Sequence, residues 1–253
     1  MKMRYLVGAC AGVLLSAAAA HADITAMMQT NIDSPMVRQM VKQSPSLAKM
    51  VNTQTTAYYS GRRSRVDTQY TSVIVDVNAH QMIMLAPMNH TYFTQPYNPT
   101  APNPEGPRPN DVKVTDTGHT KTILGHPCRE YIVTVSMTTP QTGSMTNKID
   151  MWVATDIAID PSLRSSGLGA ASPVAKQMEK VKGFPLRMTM TTSGGPKAMG
   201  GTTVTSNVVR LSTKPVPASK FAIPAGYKKT DAPSMGPMGG PGGPGGPMPP
   251  MGP

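Results

Sequence analysis

Residues 120–156 read TKTILGHPCREYIVTVSMTTPQTGSMTNKIDMWVATD, and their reading decides the fold. Residues 129–137 put Tyr131, Val133, Val135 and Met137 on one side. Residues 144–154 do the same with Met145, Ile149, Met151 and Val153. Alternation with period two is the pattern of a strand with one face buried. Pro140 and Gly143 supply a turn between the two runs. The spacing predicts an antiparallel hairpin of strict register, because a slip of one residue would turn each apolar row to water. No cluster of catalytic groups lies in or beside it.

Strand patterns continue on both sides of this hairpin. Upstream, residues 53–60 and 62–70 pair around Gly61, residues 73–77 and 81–86 turn at Asn78 and Ala79, and residues 91–94 add a short run. Residues 112–116 and 121–124 are expected to pair around Gly118. Downstream, residues 184–192 set Phe184, Leu186, Met188 and Met190 on one face, and residues 202–211 form the last long strand. Two segments have helical spacing. Ser34-Pro35 caps a run carrying Met36, Val37, Met40 and Val41, and residues 173–182 carry Val174, Met178 and Val181 before Gly183. The first is expected to pack its apolar stripe on the sheet; contact with a membrane is the alternative. The total is roughly nine or ten antiparallel strands with one or two helices.

The ends of the chain are of different composition. Lys2 and Arg4, an apolar run to Ala20, and Ala20-His21-Ala22 form a signal-peptide pattern, with cleavage expected after Ala22. The run falls short of the roughly 20 apolar residues of a membrane span. The chain therefore divides into a signal peptide (1–22), an N-terminal helical segment (23–51), a β domain (52–230) with a Pro-rich loop insertion (96–110), and a Gly/Pro/Met-rich tail (231–253) expected to be disordered. No later segment is apolar enough to span a membrane, so a soluble periplasmic or secreted protein is expected.

The formal net charge is +11, with 24 Lys+Arg against 13 Asp+Glu. In an exported protein that balance suits an anionic lipid surface or an acidic partner and argues against nucleic acid. Loss of the signal peptide removes Cys10 and leaves Cys128 as the lone thiol, so no internal disulfide forms.

Several chemistries are weighed and set aside. Cys128 has His126 nearby, but there is no Gly-x-Ser-x-Gly elbow and no paired carboxylate, and a lone cysteine on a strand is most often core. His80, His90, His119 and His126 are scattered without zinc-ligand spacing. No cofactor is expected. Arg62, Arg63 and Arg65 alternate, Arg62 to one face and the other two to the opposite face. They suit phosphate headgroups or, more simply, a solvated edge strand. Met235, Met238, Met248 and Met251 in the tail are soft thioethers suited to Cu(I), which is the alternative ligand class.

The ordered motifs resemble a known family. They are Gly61-Arg62-Arg63-Ser64-Arg65-Val66-Asp67; Leu124-Gly125 with Cys128 and Tyr131; Trp152-Val153-Ala154; Gly183-Phe184-Pro185-Leu186; and Phe221, Ile223, Pro224, Ala225, Gly226 and Tyr227. Together they are similar to the exported bacterial family called domain of unknown function 4412. That family resembles in architecture the periplasmic lipoprotein carriers and their outer-membrane receptors. The resemblance spans residues 54–229 and implies a mainly β (α+β) fold, a curved antiparallel half-barrel with one or two helices over its concave face. In the carriers that face holds acyl chains. The expected function is a non-catalytic periplasmic module binding an acyl chain or a partner's apolar segment. Strand phase nominates Tyr131, Met151, Met188, Val75 and Met84 as lining residues. Partners would be lipid or an envelope protein, with a purely structural or interaction role as the further alternative.

Overall fold

A computed structural model describes residues 23–45, 48–98, 111–139, 143–164, 177–194 and 201–231. Alternating, β-branched and Thr-rich runs make twelve strands: β1 (Ile24–Asp33), β2 (Asn52–Ser60), β3 (Arg63–Asp67), β4 (Ser72–Asp76), β5 (Gln81–Ala86), β6 (Thr91–Pro96), β7 (Asp111–Ile123), β8 (His126–Thr139), β9 (Gly143–Ala154), β10 (Phe184–Gly194), β11 (Thr202–Ser212) and β12 (Lys228–Lys229). Short helices accompany them among the described residues: α1 (Pro35–Gln43), α2 (Ala48–Val51) and α3 (Pro161–Arg164). A 3-10 turn covers Ala218–Phe221.

All twelve strands belong to one sheet of order β12-β6-β5-β4-β3-β2-β1-β11-β10-β9-β8-β7. Two meanders, β2 to β6 and β7 to β11, are joined through β1, which pairs with β2 on one side and β11 on the other. The predicted hairpin is β8 and β9, with Tyr131 opposite Met151 and Val133 opposite Ile149.

The expected antiparallel half-barrel does not form. The sheet is open, with β7 and β12 at opposite ends of the strand order, and it is mixed, because β12 runs parallel to β6. The physical reason lies in how the apolar rows are covered. An open sheet that leaves its rows bare must curl over them or have other chain laid on them, and here other chain is laid on both faces. On one face, called the crossover face, the segment linking β9 to β10 sets Ile157 and Ile159 against Ile24, Ala26, Phe184 and Leu186, and Leu163 against Val75, Val77 and Tyr97. Further along the same face, Val181 packs with Tyr131, Val133 and Val153. On the opposite face, Val216 and Phe221 of the C-terminal segment close over Ile74, Ile83 and Leu85. Each such aliphatic side chain contributes roughly 1.5–3 kcal/mol when fully buried.

Local differences follow the same logic. Residues 24–33, expected within a helical segment, form the central strand β1; its polar side-chain run suits a strand whose second face is solvated. The predicted hairpin around Gly118 is instead one long strand, β7, interrupted by a bulge between Asp116 and Thr120. Of the helix expected at residues 173–182, residues 173–176 lie outside the described residues and only 177–178 of the remainder are helical, with a turn at 179–180. The signal peptide, most of the Pro-rich segment and nearly all of the tail also lie outside the described residues. Helix α1 starts at the expected cap, with Ser34 Oγ accepting from the Val37 backbone N–H at 3.1 Å. It has no buried residue, so the expected burial of its stripe against the sheet is not realised.

Candidate functional site

The nominated lining residues all fall on the crossover face, as their strand phase requires, but in two separate places. Tyr131, Met151 and Met188 stand in one row across β8, β9 and β10, each opposite the next. Val75 and Met84 sit on β4 and β5, and the strands β3, β2, β1 and β11 lie between them and β10. Val75 is buried under Leu163 and Tyr97, so its part of the face is filled by the protein itself. Met84 is half-buried beside Val73 and Phe93.

The row on β8 to β10 runs from covered to open. Tyr131 is 8% exposed and Met151 3%, whereas Met188 is 37% exposed. Met190, opposite Ile149, and Val204 on β11 continue the open part and are half-buried. The covering residues Ile157, Ile159 and Leu163 were missed in a segment whose small and polar composition reads as a loop. Their one signal was the Ile157-x-Ile159 spacing, which sets both side chains on the same side of an extended chain.

Among the described residues the titratable groups do not assemble a reaction centre. Cys128 is buried and its Sγ lies 3.4 Å from the His126 carbonyl oxygen. Burial pushes its thiol pKa up, the opposite of what a nucleophile needs. His126 Nδ1 lies 2.8 Å from Asp156 Oδ2, a tie between β8 and the start of the crossover segment. Glu130 accepts from Thr117 Oγ1 at 2.7 Å and lies 2.8 Å from His119 Nδ1. Those hydrogen bonds, Thr117's first, hold its carboxyl below the usual range and staple the β7 bulge to β8. Among the described residues no group of three or more His, Cys, Asp or Glu could hold a metal ion. The four tail methionines lie outside the described residues.

The arginines of β3 have structural partners. Arg65 Nε donates to Asp67 at 2.6 Å, and its Nη1 donates to the Lys220 carbonyl at 3.0 Å. Arg63 covers the Phe221 ring. Arg62, on the other face, donates to Asn78 and reaches Asp160 of the crossover segment at 3.8 Å. The strand is interior to the sheet, so the edge-strand reading does not hold. A cleft of about 770 Å³ lies elsewhere, lined by Ala48 and residues 52–56 and 67–70, mostly Thr, Gln and Asn.

Two regions that resembled family motifs, the glycine-arginine-aspartate strand and the closing Phe221 to Tyr227, are thus one structural unit. A family model described as "Domain of unknown function (DUF4412)" matches residues 46–227. The chain belongs to this family. The DUF4412 match takes in β2 to β11 and the closing segment; β1 and α1 precede it. No curated protein matches the chain. Among solved structures, a Vibrio parahaemolyticus domain described as outer membrane lipoprotein-sorting is 8% identical, with 79% of this chain and 89% of that chain covered. The TM-score is 0.29, too low to carry an argument about this chain. Among the described DUF4412 residues, no helix is long and apolar enough to cross a membrane.

Proposed function

We propose that this chain is a non-catalytic module of the cell envelope whose crossover face holds a hydrophobic ligand, an acyl chain or an apolar segment of a partner protein. The reading rests on one observation: the apolar row is covered at Tyr131 and Met151 and left 37% exposed at Met188. A methionine in that position offers a flexible, polarisable surface that adapts to different apolar shapes. Covering it with lipid gains about 0.8 kcal/mol per methylene buried. The export signal at residues 1–22 supports a periplasmic location. Val75 and its neighbours are filled by Leu163 and Tyr97, so the proposed ground is the Met188 end of the face.

Native mass spectrometry of the exported chain purified from its source tests this. The expected result is a co-purified apolar adduct that is lost in Met188→Asp. A chain that carries no adduct, or a Met188→Asp variant that carries it unchanged, overturns the reading.

A further inference from the structure

One end of the sheet collects exposed apolar side chains from separate connections. The β3–β4 turn leaves the sheet after the pair Asp67 and Ser72, and the β5–β6 turn after the pair Ala86 and Thr91. Helix α1 follows β1 at that same end, where Asn31 meets Asn52. Tyr70 at the first turn is 53% exposed, Met88 at the second is 77% exposed, and Met36 and Met40 are exposed one turn apart on α1. These are four of the seven exposed large hydrophobic residues among those described, and three separate connections supply them.

The charge at this end is one-sided. Lys228 and Lys229 enter the sheet beside Thr91 and Tyr92, and Lys42 lies in the last turn of α1; all three are exposed and make no ion pair among the described residues. The carboxylates there are engaged: Asp33 with Arg38 at 3.5 Å, and Asp67 with Arg65 at 2.6 Å. Asp231 comes two residues after Lys229, further along the direction of β6 and away from the rim. Protruding methionine and tyrosine side chains flanked by unpaired lysines are what the boundary of an anionic bilayer takes up. The apolar tips enter between headgroups, and the lysines meet the surface charge.

We propose that this rim, formed by α1, the β3–β4 and β5–β6 turns and β12, is a docking surface for anionic lipid membrane. It is independent of the ligand-holding face, because Met188 lies within a strand and the rim lies beyond the strand ends. The partner is a lipid surface rather than an acidic protein because the apolar groups are scattered tips on separate turns. Such tips suit a fluid surface better than a shaped protein pocket.

Flotation of the exported chain with phosphatidylglycerol vesicles and with phosphatidylcholine vesicles, at low and high salt, tests the proposal. The expected result is co-flotation with phosphatidylglycerol that salt weakens, and little with phosphatidylcholine. Met36→Asp with Met40→Asp, Met88→Asp, and Lys228→Glu with Lys229→Glu should each lower the bound fraction, the lysine pair by at least about tenfold. Leu124→Asp, at an exposed turn on the opposite end of the sheet, should leave it unchanged. These sites are exposed, and an unchanged circular dichroism spectrum confirms folding. Failure of the wild-type chain to float with phosphatidylglycerol overturns the proposal. So does equal loss in Leu124→Asp. Binding lost with the lysines but indifferent to the methionines overturns the docking of the apolar tips and leaves only attraction between charges.

Discussion

The guanidinium carbon of Arg63 stands 4.8 Å from the centroid of the Phe221 ring, joining a β3 side chain to a residue 158 positions later. With Arg65 donating to the Lys220 carbonyl, this contact locks the C-terminal segment over Ile74, Ile83 and Leu85. Phe221→Ala should cost about 3–5 kcal/mol, as for other large-to-small core changes. Arg63→Ala should cost less, about 0.5–2 kcal/mol. Urea denaturation measures both. Limited proteolysis should cut the segment after Ser212 sooner in Phe221→Ala; equal cutting in variant and wild type would show that the ring does not hold it.

Cys128 should resist thiol reagents in the folded protein. It is 1% exposed, and burial raises its pKa, so both access and thiolate are lacking. Labelling with and without denaturant checks this, and fast labelling of the native chain would reopen a redox role. Cys128→Ser should destabilise by about 1–3 kcal/mol, because the hydroxyl is buried among apolar neighbours.

Gly183 adopts φ +117°, and a Cβ there would lie 2.0 Å from the Ala154 carbonyl oxygen. That oxygen is backbone at the end of β9 and cannot step aside cheaply. Gly183→Ala should therefore cost about 2 kcal/mol or more, through backbone conformation and the clash together. A melting temperature equal to wild type would refute the placement of β10 against β9.

Glu130 gives the chain an acid-sensitive staple. Its folded pKa is depressed by hydrogen bonds from Thr117 and His119. It therefore contributes stability above the unfolded glutamate pKa of about 4.3, and that contribution is lost as pH falls through the lower folded value. Glu130→Gln should lower stability at neutral pH and flatten its acid limb. Denaturant midpoints measured from pH 7 down to pH 3 give the comparison; parallel curves for wild type and variant would exclude the staple.

Sequence alone determined the local pieces, because their signals are local. The alternation of Tyr131, Val133 and Val135 against Ile149, Met151 and Val153 dictated the β8–β9 hairpin and its buried face. Ser34-Pro35 dictated the start of α1. The same alternation put all five nominated lining residues on one face. It could not say which of them the chain would cover, because burial depends on what packs above each residue and not on its own spacing.

Tertiary structure decided the rest. The position of β1 between β2 and β11 comes from pairings to residues far along the chain, such as Thr30 with Ser206, which no local pattern announces. The open sheet follows from the crossover and C-terminal segments burying the rows that a half-barrel would have enclosed. Arg63 and Arg65 read as a charged strand face until Phe221 and the Lys220 carbonyl gave them partners from the other end of the sequence. Exposure of Met188, and the gathering of Met36, Tyr70 and Met88 at one end, are properties of the assembled sheet, because they depend on strand order and on what packs above each residue.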